Sequence, residues 1–299
     1  MITDFAIETR DLVKAYGSLR ALDGLNLGVP RGVIAGFVGL NGAGKTTTLR
    51  ILLQMAKPTE GSARVLGLDA TDRLQSVEIR RRTAFVPERK ELFPYMSVGE
   101  AIAFTKSFYP RWRDDLEKRH AKDFGLKYDQ NLTKLSKGTL TKLHLLLAFC
   151  RGVELILLDE PTDGLDPLGV EVAMRAMAGL AAEEGTTLLF SSHRLNEMEQ
   201  MADYTCMIHK GRSVISGPLD DLKASCRRVV MIYENDAAPR VSEFAAAGAV
   251  MADGRTLTVM ANGNAESIAG KARSLGARSV EIEAMSIREM FLELVKGDL

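Results

Sequence analysis

Residues Gly39-Leu40-Asn41-Gly42-Ala43-Gly44-Lys45-Thr46 have the composition and spacing needed to hold a polyphosphate. Glycines at 39, 42 and 44 let the backbone turn tightly, so that several N–H groups face one concavity. The Lys45 ammonium then reaches β- and γ-phosphates, and the Thr46 hydroxyl suits Mg²⁺. Asn41, Ala43 and Thr47 complete the stretch that would wrap the polyphosphate. Further along, the apolar run Leu155-Ile156-Leu157-Leu158 ends in two adjacent carboxylates. Asp159 suits Mg²⁺, usually through water, and Glu160 suits polarising an attacking water. A second apolar run, Thr186–Phe190, ends in Ser191-Ser192-His193.

These groups need a scaffold that brings them together. Val33–Val38 reads as a strand running into the glycine loop, and Thr47–Leu53 as the helix leaving it. That strand–loop–helix order is the context a P-loop requires, and the helix N-terminus adds positive dipole for an anion. Strands at 83–87, 155–158 and 186–190 alternate with helices at 170–184 and 195–202. The alternation predicts an α/β fold with a mostly parallel sheet, ligands lying at the carboxyl ends of its strands. Residues 1–35 alternate strand-like runs with turns and predict an antiparallel, hairpin-rich patch. From Ser97 to about Lys127 the periodicity is helical, with Val98, Ala101, Ile102 and Phe104 on one face and Pro110 ending one helix. Residues 133–151 give a second helical run. After Gly217-Pro218 the pattern changes to short strands at 228–233, 256–260 and 279–282 and helices at 242–247, 265–275 and 286–295. The reading is a P-loop domain over 1–219, with a helical subdomain at about 90–150, and a small α+β accessory domain over 220–299.

Composition narrows the class. Of 299 residues, 46% are apolar, enough for a real core, and the formal net charge is zero. No global basic field attracts nucleic acid, so no nucleic-acid partner is expected. The short runs Arg80-Arg81-Arg82 and Lys118-Arg119-His120 read as solvated faces. Cys150, Cys206 and Cys226 are odd in number and lack CxxC spacing, which predicts reduced packing thiols. The segment Met1–Phe5 has no apolar region of the export-signal type, and no stretch reaches the roughly 18 apolar residues of a membrane span. A soluble protein is expected.

The run Leu157-Leu158-Asp159-Glu160-Pro161-Thr162-Asp163-Gly164-Leu165-Asp166 closely resembles the Walker B and D-loop segments of the ATP-binding cassette (ABC) family. Leu135-Ser136-Lys137-Gly138-Thr139 matches that family's signature, Leu-Ser-Gly-Gly-Gln, at three of five positions. Tyr16 stands at the position of the adenine-stacking aromatic, and His193 at that of the switch histidine near the γ-phosphate. Read singly, Tyr16 is a packing aromatic, His193 a surface residue and Ser136 a helix cap. The five motifs, in the family's order over roughly residues 4–222, are what make the resemblance specific.

The resemblance implies an ATPase in which two such subunits, identical or not, sandwich two ATP molecules. Ser136, Gly138 and Asp166 would then serve the partner's ATP in trans, while Lys45, Thr46, Asp159, Glu160 and His193 act in cis. It also implies a separate transmembrane permease, docked on the helical subdomain through Phe93-Pro94-Tyr95-Met96, and a cytoplasmic location on the inner face of the membrane. Two positions depart from the family. Glu88 replaces a Gln beside the metal and the lytic water, where a carboxylate either tightens metal binding or slows hydrolysis. Lys137 replaces a Gly, where a cation either favours phosphate or points to solvent. With Phe108-Tyr109-Pro110-Arg111-Trp112, these departures resemble a bacterial branch serving exporters and drug- or stress-response transporters. Two rival readings are an ABC ATPase working on ribosomes or nucleic acid, and a regulatory ATP-binding subunit with little turnover.

Overall fold

The computed structural model describes residues 4–235, 240–248 and 250–296. Residues 1–3, which open the N-terminal reading above, lie outside the described residues. Contacts divide the chain into two compact units, Met1–Ser216 and Gly217–Leu299.

Unit 1 begins with the expected hairpin, β1 (Phe5–Tyr16) paired antiparallel with β2 (Leu19–Pro30). The turn at Gly17-Ser18 sets Tyr16 opposite Leu19 at the hairpin tip. Next comes β3 (Ile34–Val38), which runs through the glycine loop into α1 (Lys45–Leu52). The chain then returns as β4 (Glu60–Val65) and β5 (Leu68–Asp69), which join the hairpin in an antiparallel sheet of order β2-β1-β4-β5. Helix α2 (Ser76–Arg82) leads into β6 (Thr83–Val86).

The helical stretch is more broken than its periodicity suggests. Helix α3 (Val98–Lys106) starts at Ser97, whose hydroxyl and Glu100 form a reciprocal capping box. It stops four residues before Pro110, so the proline does not end it. Phe104, expected on the buried face, is 45% exposed. Helix α4 (Asp114–Asp123) carries a second correction. His120 is not on a solvated face but 3% exposed, packed against Phe124 and Phe149. A 3₁₀ turn at Leu132–Lys134 precedes α5 (Lys137–Phe149), which Ser136 caps.

The chain then builds the centre of the second sheet with β7 (Leu155–Asp159), α6 (Pro167–Glu184), β8 (Thr187–Ser192), α7 (Leu195–Met201), β9 (Tyr204–His209) and β10 (Arg212–Pro218). Strand order is β10-β9-β3-β8-β7-β6, and the neighbours from β9 to β6 pair in parallel. Every residue of β3, β7 and β8 is buried, as expected when helices cover both faces of a parallel sheet. Cys150 and Cys206 are buried, unbonded thiols, and burial pushes both well above the usual thiol range.

Unit 2 opens with α8 (Leu219–Ser225) and continues as β11 (Cys226–Ile232), α9 (Val241–Phe244), β12 (Val250–Asp253), β13 (Thr256–Asn262), α10 (Ala265–Ser274), β14 (Ser279–Ala284) and α11 (Ile287–Lys296). The strands form one antiparallel sheet, β12-β13-β11-β14. From β11 to β14 the succession is βαββαβ, the split-βαβ arrangement. Its core joins Val229 and Met231 of β11 and Leu257 and Val259 of β13 with Ile268 and Ala272 of α10.

The central sheet sets a stability test. Leu189, in the middle of β8, is fully buried in the main core. Leu189→Ala should cost about 2–5 kcal/mol, the range for truncating a buried leucine. Trp112, the single tryptophan, lies in unit 1, so its fluorescence in a urea titration reads that unit's unfolding.

Candidate active site

The carboxyl ends of β3, β6, β7 and β8 converge on a cleft of about 540 Å³. The glycine loop forms its floor. Gly44 has φ of +111°, and a Cβ there would stand 2.7 Å from the Ala21 carbonyl and 2.6 Å from Leu22. Only glycine fits both the angle and the space. Asn41 to Thr47 line the cleft, whereas Gly39 lies behind it and offers its carbonyl to Lys45. The Lys45 amine, 7% exposed at the residue level, donates to Gly39 O at 2.6 Å and to Leu40 O at 3.3 Å. Burial lowers its pKa, opposed by the negative charges of Glu160, Asp159 and Glu88.

Asp159 is 1% exposed at the end of β7. Its Oδ2 accepts from the Thr46 hydroxyl at 2.9 Å and its Oδ1 from the Ser191 hydroxyl at 2.6 Å. Ser191 in turn accepts the Glu160 N–H at 3.0 Å. Parallel register explains the contact, because Asp159 on β7 is the direct neighbour of Ser191 on β8. Glu160 itself has φ of +50°, a left-handed conformation that a glutamate rarely adopts. Its Oε2 lies 3.0 Å from His193 Nδ1. Thus the cleft holds a hydrogen-bonded run of residues, Thr46–Asp159–Ser191–Glu160–His193, linked at Glu160 through its backbone N–H on one side and its carboxylate on the other.

The hairpin tip contributes Tyr16 and Leu19. Tyr16 is 48% exposed and the Lys14 amine sits 4.8 Å from its ring centroid, which leaves an aromatic face beside the loop. Glu88 also lines the cleft and is exposed. Thr46, Asp159 and Glu88 therefore present hard oxygen donors around one space, the chemistry that suits Mg²⁺ shared with a substrate phosphate.

Ser136, Gly138 and Asp166 stand apart from this cleft. Ser136 Oγ caps α5, accepting from Thr139 N–H at 3.1 Å, and the Asp166 carboxylate caps α6, accepting from Gly169 N–H at 2.7 Å. Three groups in or beside the site had no role in the sequence reading. Ser191 was seen only as polar punctuation after a strand, although its register with Asp159 carries its role. Asp163 lines the cleft, and Lys90 donates to Glu88 O at 3.3 Å and Glu160 O at 3.5 Å. Lys137 is exposed, and its amine lies 2.7 Å from Asp163 Oδ2.

Residues 22–163 match the ABC transporter family. The bacitracin transport ATP-binding protein of Bacillus licheniformis is 35% identical over 237 residues, covering 77% of this chain and 75% of that protein. An uncharacterized ABC transporter ATP-binding protein of Bacillus subtilis (strain 168) is 32% identical over 298 residues, covering 95% and 96%. Among solved structures, an ATP-binding subunit of an ABC transporter superposes with a TM-score of 0.66 at 28% identity, covering 73% of this chain and 92% of that one. With its P-loop, acidic strand end and fold shared with these proteins, the chain belongs to the ATP-binding subunits of the ABC transporter family.

Proposed function

We propose that this chain binds ATP with Mg²⁺ in the cleft between Tyr16 and His193, hydrolyses it, and drives export through a separate membrane permease. The observation that carries hydrolysis is the placement of Glu160. A carboxylate held by His193, on a residue whose backbone N–H is held by Ser191 at the end of a buried strand, is where a base for an attacking water belongs. The Tyr16 ring stacks on adenine. The Lys45 amine exchanges the Gly39 and Leu40 carbonyls for β- and γ-phosphate oxygens, and the loop N–H groups bind the rest of the chain. Thr46, Asp159 and Glu88 would hold Mg²⁺, which when bound supplies charge neutralisation on the phosphates. Glu88 lines the same cleft as Glu160 and adds its negative charge to the site.

Ser136, Gly138 and Asp166 support the ATP sandwich by where they lie. They serve no group of their own chain's cleft, and Ser136 at the N-terminus of α5 is exposed. Brought against a second subunit, identical or homologous, that helix end meets the γ-phosphate with its positive pole. ATP then closes the pair, and loss of the γ-phosphate opens it.

Among the described residues no helix is long and apolar enough to cross a membrane, so the permease is a separate chain in this reading. Its contact is argued from an aromatic patch on the helical part of unit 1. Phe93 and Tyr95 are 49% and 71% exposed, and Phe104 and Phe108 extend the ring contacts at centroid distances of 5.1 to 5.7 Å. Four exposed rings in a continuous row are a protein-contact surface rather than ordinary surface scatter. Phe108 also borders a cleft of about 640 Å³ that Arg80, Arg81 and Arg111 line, so a permease segment with aromatic and acidic side chains fits. The bacitracin transport relative supports the exporter assignment, and the transported substrate is set by the permease.

Glu160→Gln should retain ATP binding and lose roughly 10²–10⁴-fold in turnover, the contribution of a general base. Phosphate-release assays and nucleotide titration check both, and undiminished turnover would move the base to Glu88. Phe93→Ser combined with Phe108→Ser should leave ATPase activity of the isolated chain intact and abolish co-purification of a multi-span protein from native membranes. Retention of that protein by the double variant would place the contact elsewhere.

A further inference from the structure

The signature segment and the turn that follows Glu160 are joined within one chain, through a residue the ABC resemblance does not supply. The Lys137 amine pairs with Asp163 Oδ2 at 2.7 Å. Beside it, the Thr141 hydroxyl lies 3.1 Å from both the Lys137 and the Asp163 carbonyls. The two backbones also approach closely. A Cβ on Gly138 would stand 2.6 Å from Gly164 O, and one on Gly164, whose φ is +82°, would stand 2.9 Å from the Lys137 stem. Neither glycine tolerates a side chain while this contact is made. On the opposite side, the Lys90 amine donates to the Glu160 carbonyl. The turn itself is closed by Asp163 N–H to Glu160 O at 3.2 Å and by Leu165 N–H to Thr162 O at 3.1 Å.

Asp163 also lines the nucleotide cleft, so its place affects what surrounds Glu160. Its pKa is lowered, first by the hydrogen bond from Lys137, with Lys90 and Arg194 adding positive charge nearby. An ionised Asp163 without Lys137 would be a further negative charge in a cleft that already holds Glu88, Asp159 and Glu160. Such a charge would repel both the Glu160 carboxylate and the incoming phosphates.

We infer that Lys137 is a positioning residue for hydrolysis: by pairing with Asp163 it locks the 160–166 turn to the N-terminus of α5 and so fixes where Glu160 stands. The inference rests on the ATPase reading above. It gives the Lys137 departure a role in its own subunit, distinct from contact with the partner's phosphate. In the ATP sandwich, the segment that touches one nucleotide is thereby fastened to the turn that positions the base for the other.

The test uses the full chain with Lys137→Met, Asp163→Asn, both together, and Lys137→Arg. Hydrogen exchange of segment 160–166 without nucleotide reads the link directly, and steady-state ATP hydrolysis reads its consequence. Lys137→Met and Asp163→Asn should each speed exchange of this segment. They should lower kcat by roughly 2–5-fold, the span of exposed ion pairs, with KM for ATP unchanged. The double variant should be no worse than either single one, and Lys137→Arg should restore exchange and kcat together. Unchanged exchange in Lys137→Met overturns the inference. So does a raised KM at constant kcat, which would mean that Lys137 meets phosphate itself. A Glu160→Gln variant that hydrolyses ATP at the wild-type rate would instead sink the underlying assignment of the base, and the exchange data would still decide the link.

Discussion

A carboxylate buried at the edge of the central sheet is the constraint on which the site depends. Asp159 is removed from water, and an ionised group there persists only if its oxygens are satisfied. Two hydroxyls do this, one from the first turn of α1 and one from the end of β8. Satisfying Asp159 therefore fixes the glycine loop, β7 and β8 relative to one another. The spacing is not adjustable, because β7 and β8 are held in parallel register through buried leucines on both strands. Core packing thus becomes positional accuracy at a polar site.

The consequence appears one residue on. Glu160 leaves the strand in a left-handed conformation, which costs a non-glycine residue on the order of 1–3 kcal/mol unless its surroundings impose it. Here they do. Its N–H is tied to the same Ser191 that satisfies Asp159, its carboxylate to His193, and the turn after it to Lys137 through Asp163. In the proposed mechanism, the strained residue is also the one that must be aimed into the cleft rather than along the strand.

Much of this was legible in the chain, for a physical reason. A phosphate loop needs glycine at fixed spacing, and buried parallel strands need unbroken apolar runs, so Gly39–Thr46, Leu155–Glu160 and the strand before His193 declare themselves. What was not legible came from contacts distant in sequence. Nothing near Lys137 indicates that Asp163, 26 residues on, will take its charge. His120 follows two cations and reads as surface, yet it points at Phe124 one turn away and Phe149 on α5, a contact only tertiary packing supplies. Phe104 fits the buried helical face by period, but it lies at the surface between the rings of Phe93 and Phe108. Strand β12 was also missed, because its four residues are too few to show a strand period and are placed by pairing with β13 across a short turn.

The motif residues outside the cleft pose a different problem, since each is already used inside its own chain. Ser136 and Asp166 cap helices, and Gly138 admits the Gly164 carbonyl. Intramolecular duty alone explains a cap residue at each position, and Asn or Asp would serve equally well at Ser136. It does not explain why a capped helix end, with its first N–H groups lacking intrahelical acceptors, is left at the surface and fastened to the turn that follows Glu160. In the proposed sandwich both facts have one cause. The caps and the Lys137–Asp163 pair hold the helix end rigid before any partner arrives, so little ordering entropy remains to be lost when the second subunit's ATP docks against it. A pre-formed surface of that kind makes closure depend on the γ-phosphate itself rather than on folding of the interface, as a nucleotide-controlled switch requires.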